Sequence, residues 1–232
     1  LFAKAKEYQM PALGICDLSN VFAAVKTFKA AQKHKVKPIF GADVYVDFQD
    51  EPPKIISLLC ENETGFLRLR ELLSDAYLAK ARNEDQQPII SHTALTKAAL
   101  EGLVMVLGYE SFLADLLLQD KTEVVTQRLT FLQKVLGEDA LYLAVSRIGN
   151  SQESELEEHF LSLAIAKELP VIASQKVCFL EPDAFMAHEV RTCIFHGDTL
   201  EDPHRKKRYT EKQYFADTPS MQACYKDLPQ VL

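Results

Sequence analysis

Two acidic residues, Asp17 and Asp43, each stand at or near one end of an apolar run that is typical of a buried strand. They lie in the stretch ALGICDLSNVFAAVKTFKAAQKHKVKPIFGADVYV, residues 12–46, in which an amphipathic helix separates the two runs. In an α/β barrel, that end of the strands is where chemistry is usually placed. The two carboxylates therefore belong either to a working metal site or to the remainder of one.

Other chemistry-bearing residues form no recognisable pattern. The six histidines show no HxH, HxxxH or HxxE spacing, and no GxGxxG or GxxxxGK[ST] phosphate loop and no GxSxG nucleophile motif is present. The position of His188 on an apolar helix is typical of a histidine packed against its neighbours. Glu189 and Asp183 are interpreted as acids on a helix surface. Cys16, next to Asp17, has no histidine nearby in sequence, which favours a buried small hydrophobe over a nucleophile.

Composition limits the kind of protein. The chain has 232 residues, a formal net charge of −7 and a pI of about 5.4, which argues against a general nucleic-acid-binding surface. No apolar run is long enough to span a membrane, and no signal peptide precedes the first helix. The five cysteines form no CxxC pair, which favours free thiols and a cytoplasmic location. The basic run HRKKR, residues 204–208, is read as a solvated loop, with contact to DNA or a neighbouring domain as the alternative.

Around these residues, the hydrophobic pattern predicts about six strands that alternate with helices. The predicted strands are Ala12–Cys16, Ile39–Val46, Ile55–Cys60, Gly102–Gly108, Leu141–Val145 and Val171–Ser174. The predicted helices include one capped by Ser19 and Asn20, one over Leu67–Ala81, one from Ser91 to about Leu100, and four over 110–118, 121–136, 152–168 and 182–195. Such alternation indicates parallel strands joined by crossover helices, in a βα barrel or a doubly wound sheet.

Several segments resemble a known family. The stretch 11–46 is similar to the second signature region of the PHP (polymerase and histidinol phosphatase) domain of bacterial DNA polymerase III α subunits. ENETGFLRLRELLSDAYL, EGLVMVLG, LPVIASQKVCFLEPDAFMAHEVRTCIFHGDTL and RYTEKQYF resemble later segments in the same order. The resemblance implies an α/β fold, a PHP-type (βα)7 distorted TIM-like barrel over residues 1–197, with the first strand missing from this chain. It also implies that residues 198–232 form an extension leading toward the polymerase palm and thumb.

In this family, the barrel mouth holds up to three metals bound by His, Asp, Glu and sometimes Cys. The resemblance maps acids onto two of these positions, Asp17 and Asp43. Four ligand positions carry residues without a suitable lone pair: Leu18, Ile55, Ala144 and Ile148. Lys176 and Cys178 replace an aspartate and a histidine; the lysine places a cation where a metal would lie, and the cysteine alone completes no zinc site. We therefore expect no metal cofactor, and we expect Asp17 and Asp43 to form a salt-bridge cluster with Lys176.

The resemblance implies a non-catalytic domain that stabilises a replicative polymerase and docks a separate proofreading exonuclease subunit. The expected partners are that subunit and the remaining domains of the polymerase α chain, with weak or no DNA contact and no membrane. The alternative is a metal-dependent phosphoesterase, 3′–5′ exonuclease or pyrophosphatase acting in the barrel mouth. A further possibility is that phosphate or pyrophosphate binds between Asp17, Asp43 and Lys176.

Overall fold

A seven-stranded sheet that curves into a half-barrel forms the centre of the fold in the computed structural model, which describes residues 1–48, 51–137, 139–202 and 204–232. The strands are β1 (Ala12–Leu18), β2 (Lys37–Asp47), β3 (Lys54–Cys60), β4 (Ile89–Ser91), β5 (Leu103–Leu107), β6 (Leu141–Val145) and β7 (Val171–Ala173). Their order in the sheet is β1-β2-β3-β5-β6-β7, and β4 pairs with β2. All six predicted strands are present, with β4 added.

Eight α-helices in the described residues accompany the sheet. They are α1 (Phe2–Glu7), α2 (Ala24–His34), α3 (Glu63–Leu78), α4 (Phe112–Leu118), α5 (Thr122–Leu136), α6 (Glu153–Lys167), α7 (Phe185–His196) and α8 (Thr218–Cys224). Single 3-10 turns occupy His92–Ala94, Pro182–Ala184 and Pro229–Val231. None of the described helices has the length and apolar character needed to cross a membrane.

The direction of β3 differs from the sequence prediction. β2 pairs in parallel with β1 and β4, and β6 in parallel with β5 and β7, but β3 is antiparallel to both β2 and β5. Only the six residues 48–53 separate β2 from β3. A parallel crossover needs about a dozen residues, so this connection is too short to bring β3 back parallel to β2. The prediction of a fully parallel sheet is therefore wrong at β3.

The predicted helix from Ser91 to Leu100 is also wrong. Ile89–Ser91 forms the short strand β4, which pairs in parallel with the end of β2. The Ser91 hydroxyl accepts a hydrogen bond from the Thr93 amide, but the turn it caps is a 3-10 turn that ends at Ala94. The sequence correctly predicts that Ser91 acts as a cap. It does not predict β4, because a strand of three residues is too short to show a hydrophobic periodicity.

The segment 198–232 packs into both hydrophobic clusters of the described residues. Phe215 joins Phe2 and Ala5 in a small cluster beside α1 and α2. Tyr225, Leu228 and Val231 belong to the main core between the sheet and the helices. The Tyr225 side chain is 1% exposed, and its hydroxyl donates a hydrogen bond to the Val145 carbonyl oxygen at 3.2 Å. Residues far along the chain thereby contact the end of β6.

Arg147, just beyond β6, anchors the same segment. Its guanidinium donates two hydrogen bonds to Glu157 of α6, at 2.8 and 2.6 Å, and two to Asp227, at 2.7 and 2.8 Å. It also donates to the Cys224 carbonyl oxygen at 2.7 Å and lies 4.8 Å from the centre of the Tyr225 ring. The hydrogen bonds and charges of Glu157 and Asp227 raise the pKa of Arg147, and Arg147 in turn lowers the pKa of Asp227 to about 2. The arginine thus joins β6, α6 and the chain after α8.

Candidate functional site

A cavity of about 580 Å³ lies at the mouth of the half-barrel. Asp17, Asp43 and Lys176 all contribute to its wall, so the structure brings together three residues that the sequence singled out. Three of the apolar replacements also line it: Ile55, Ala144 and Ile148. Leu18 and Cys178 are not part of this lining; Leu18 is 43% exposed.

Asp17 shapes the chain between β1 and α2. Its Oδ2 atom accepts a hydrogen bond of 2.7 Å from the Ala23 amide. Ser19, with a φ of 52°, turns the chain between them. The helix begins at Ala24 without a side-chain cap from Ser19 or Asn20, so the predicted cap is wrong in position. Asp17 therefore stabilises the loop that leads into α2.

Asp43 lies in β2, directly opposite Ser57 of β3. The Ser57 hydroxyl donates a hydrogen bond of 2.6 Å to the Asp43 Oδ1 atom. Burial raises the pKa of Asp43, while the Ser57 hydrogen bond and the positive charge of Lys176 lower it by less than burial raises it. The Ser57 hydrogen bond and the Lys176 charge thus offset only part of the free-energy cost of burying the ionised Asp43 carboxylate.

Lys176 makes its ion pair with Glu110, at a distance of 2.5 Å between Nζ and Oε1. Burial lowers the pKa of Lys176, but the attraction and hydrogen bond of Glu110, together with the charge of Asp43, raise it overall. Among the ion pairs of the described residues, Lys176 contacts Glu110 and neither Asp17 nor Asp43, so the expected salt-bridge contacts are wrong, although the charge of Asp43 still acts on Lys176. Glu110 follows the end of β5 closely, just as Asp17 stands near the end of β1, and this position was the signal that could have identified it.

The residues of this cavity do not suit a metal cluster. Among the residues that the structure describes, no three His, Cys, Asp or Glu side chains come together in a group that could hold a metal ion. Asp17 and Asp43 already accept hydrogen bonds from Ala23 and Ser57, and the Lys176 ammonium shares the space with them. A divalent cation needs several oxygen, nitrogen or thiolate ligands and is repelled by an ammonium group.

The thiols near the cavity favour their protonated forms. Burial raises the pKa of Cys16, and the negative charge of Asp43 adds to that effect. Burial also raises the pKa of Cys178, whose thiol contacts the Lys176 carbonyl oxygen at 3.6 Å. All five cysteines are free, as the sequence predicts. Because the thiolate is the reactive form, neither Cys16 nor Cys178 has the environment of a nucleophile.

A second polar cluster joins α7 to the basic run. Glu189 is 3% exposed and accepts a hydrogen bond of 2.5 Å from Arg205, so its interpretation as a surface acid is wrong. Arg208 pairs with Asp198 at 3.1 Å. His188 packs against the Tyr209 ring, with centroids 4.5 Å apart, and burial lowers its pKa. The basic run is therefore not a uniformly solvated loop, because both of its arginines bind acids of the same chain.

Comparison with known proteins places these observations in a family context. The sequence model of the PHP domain matches residues 1–148. The chain is 35% identical over 232 residues to DNA polymerase III subunit alpha of Xylella fastidiosa, covering 100% of this chain and 19% of that protein. It is 35% identical to the proteins of the same name from Neisseria meningitidis and Vibrio cholerae, covering 100% of this chain and 20% of each. The chain therefore spans about a fifth of the length of these relatives.

A solved structure shares the fold. It is a protein described as a metal-dependent phosphoesterase from Bifidobacterium adolescentis, with a TM-score of 0.50 and 10% sequence identity, covering 75% of this chain and 79% of that one. At this identity the likeness shows the fold alone. Together with the family match, it confirms the expected PHP-type distorted barrel.

Proposed function

We propose a function from one premise: this chain belongs to the PHP domain family. It serves as a non-catalytic domain of a replicative DNA polymerase in the cytoplasm, stabilising the polymerase chain and docking a proofreading exonuclease subunit. Similarity to DNA polymerase III alpha subunits over the whole chain supports the polymerase context. The remaining domains of the polymerase are the second set of partners.

The observation that carries the non-catalytic part is the ion pair between Lys176 and Glu110 in the barrel mouth. An ammonium group there supplies positive charge where PHP enzymes place metal ions, and Ile55, Ala144 and Ile148 line the same cavity without offering a metal ligand. Activation of water for phosphoester cleavage needs a metal that lowers the pKa of that water, or a positioned general base. Asp17 and Asp43 instead bind donors that belong to the fold.

Metal content and phosphoester hydrolysis test this part directly. The purified chain is equilibrated with zinc or manganese, dialysed and analysed for bound metal, and it is assayed with p-nitrophenyl phosphate, pyrophosphate and a single-stranded oligonucleotide. We expect substoichiometric metal and no turnover that depends on Asp17. Stoichiometric metal, together with turnover that is lost in Asp17→Asn, would overturn the non-catalytic assignment.

Docking is tested separately, by size-exclusion chromatography of the chain mixed with the proofreading exonuclease subunit of the same organism. A complex that elutes ahead of both components is expected. If the two proteins elute independently at concentrations well above a micromolar dissociation constant, the docking role is wrong and only the stabilising role remains.

A further inference from the structure

A groove of about 730 Å³ lies between α2 and α3, on the outer side of the sheet. We call it the α2–α3 groove. Apolar side chains from both helices and from the strands between them form most of its lining: Val25, Phe28, Phe40, Leu59, Phe66 and Val104. No step of the proposed function uses this groove, which is separate from the cavity at the barrel mouth.

The short connection between β2 and β3 supplies no crossover helix to the outer face of the sheet. In a βα unit, the connection between two strands supplies a helix that covers the outer face of the sheet. Here the six residues 48–53 form the whole connection. Pro38, Ile39 and Phe40 at the start of β2, and Cys60 at the end of β3, are consequently only partly buried. These residues therefore remain accessible between α2 and α3.

One wall of the groove exposes large apolar side chains. Val25 and Phe28 of α2 line the groove and are 68% and 51% exposed. Residues three apart lie on the same face of a helix, so the two side chains form one apolar strip along the groove. Phe22, just before α2, is 77% exposed. Contiguous apolar surface of this kind is typical of a protein-binding site.

Charged residues of both signs lie in or beside the groove. Between Leu18 and Ala42 the sequence has five lysines and no acid, although the whole chain has a net charge of −7. Lys29 lies one turn from Val25 on α2, and Lys37 lines the groove itself. On the opposite wall, Glu61 and Glu63 line the groove at the start of α3. The groove thus has a mostly apolar lining, with positive charge at Lys37 and nearby Lys29 and negative charge at Glu61 and Glu63.

We infer that the α2–α3 groove binds an amphipathic helix of a partner protein. The apolar stripe of that helix packs against the apolar lining of the groove, its acidic flank faces Lys37 and the nearby lysines of α2, and its basic flank faces Glu61 and Glu63. Helix-in-groove recognition of this kind uses apolar anchors at spacings of three and four residues. A nucleic acid fits less well, because its phosphates would lie against the two glutamates. The inference rests on the docking part of the proposed function, for which it supplies the site and the chemistry.

Peptide binding provides the first test. The probe is a fluorescein-labelled helical peptide of about 16 residues, roughly 24 Å long, with a leucine stripe, glutamates on one flank and lysines on the other. A peptide of the same composition with a scrambled order is the control. Fluorescence anisotropy is measured with the wild-type chain, with Phe28→Asp in the groove lining, with Lys29→Glu beside it on α2, and with Ile165→Asp. Ile165 is 83% exposed on α6 and is not part of the groove lining, so it provides a matched control substitution.

We expect the patterned peptide alone to bind, with affinity falling about 30-fold in Phe28→Asp and about 3-fold in Lys29→Glu, and changing less than about 2-fold in Ile165→Asp. Circular dichroism verifies that each variant is folded. The inference is overturned if the patterned peptide does not bind, or if it binds Phe28→Asp as tightly as wild type. It is also overturned if Phe28→Asp abolishes binding of a single-stranded oligonucleotide or dissociates a dimer of this chain, because the occupant would then be nucleic acid or a second copy.

The exonuclease subunit separates failure of this inference from failure of the proposed function. Binding to wild type and Ile165→Asp but not to Phe28→Asp supports both. Equal binding to all three variants places the docking site elsewhere and overturns the groove, whereas docking stands. If the subunit does not bind but the peptide does so in a Phe28-dependent way, the proposed partner is wrong and the groove assignment stands.

Discussion

Substitution of Tyr225 tests how strongly the segment after residue 197 is joined to the barrel. The ring is 1% exposed in the main core, its hydroxyl binds the Val145 carbonyl oxygen, and the Arg147 guanidinium lies over its face. Tyr225→Ala removes all three contacts and leaves a cavity. Tyr225→Phe keeps the ring and removes only the hydroxyl.

The expected magnitudes follow from these contacts. Truncation of a fully buried aromatic side chain costs about 3–5 kcal/mol, and a neutral hydrogen bond contributes about 1 kcal/mol. We therefore expect Tyr225→Ala to lower the free energy of unfolding by about 4 kcal/mol and Tyr225→Phe by about 1 kcal/mol. Since domains of this kind are stable by about 5–15 kcal/mol, the alanine variant should still fold in buffer.

Urea denaturation followed by circular dichroism measures both changes, and Phe195→Ala supplies the control. Phe195 is 83% exposed on α7, so the same kind of truncation should change stability by less than about 0.5 kcal/mol. If Tyr225→Ala loses no more stability than Phe195→Ala, the segment that carries Tyr225 does not belong to the cooperative unit, and the reasoning is refuted.

Four further predictions concern the barrel itself. Burial raises the pKa of Asp43 in the folded protein above the unfolded-state value of about 3.9. The protonated side chain therefore contributes stability below about pH 3.9, and this contribution is lost as the pH rises through the folded-state pKa. Asp43→Asn should therefore raise the melting temperature at pH 7, with a difference from wild type that shrinks toward pH 3. Asn62→Ala removes the side chain that caps α3 at the Gly65 amide and should cost about 1 kcal/mol in urea denaturation. Gly65→Ala should cost about 3 kcal/mol, because its methyl group would lie 1.9 Å from a backbone carbonyl oxygen. Burial raises the pKa of Cys60 to about 11, so its reaction with a disulfide reagent at pH 8 should be at least about ten times slower than that of exposed Cys224.

Contrary results for Asp43, Gly65 and Cys60 would each have a specific meaning. A lower melting temperature for Asp43→Asn at pH 7 would mean that the carboxylate stabilises the fold through its hydrogen bond with Ser57 more than its burial destabilises it. Equal stability of Gly65→Ala and wild type would mean that α3 lies further from the chain at Gly102 than the structure shows. Equal rates for Cys60 and Cys224 would mean that the end of β3 opens readily.

The strands were predictable because burial on both sides of the sheet leaves a nearly continuous apolar run. β5 and β6 lie within one residue of their predicted bounds for this reason. The direction of β3 was not readable from its own residues, because an apolar run does not differ between parallel and antiparallel strands. The length of the connection 48–53 contained that information, since it is shorter than a crossover requires.

The pairing of polar residues that are distant in sequence was not predicted. Lys176 binds Glu110, 66 residues away, and Arg205 binds Glu189 on α7. α7 also reverses the usual amphipathic pattern, because Ile194 is 75% exposed while Glu189 is 3% exposed. A rule that places acids outside and apolar residues inside fails there, since the buried acid is compensated by an arginine from another segment.

The packing of residues 215–231 has a consequence for protease treatment. Lys206 and Lys207 are exposed and lie outside the regular secondary structure, in a position suited to tryptic cleavage. A cut between them leaves a short fragment whose Phe215 and Tyr225 are buried in two separate clusters, and Arg147 binds it from the longer fragment. The two fragments should therefore migrate together on a native gel and separate only in denaturant. A nick at this point would then behave as the junction of a split protein, whose two parts assemble without a covalent bond.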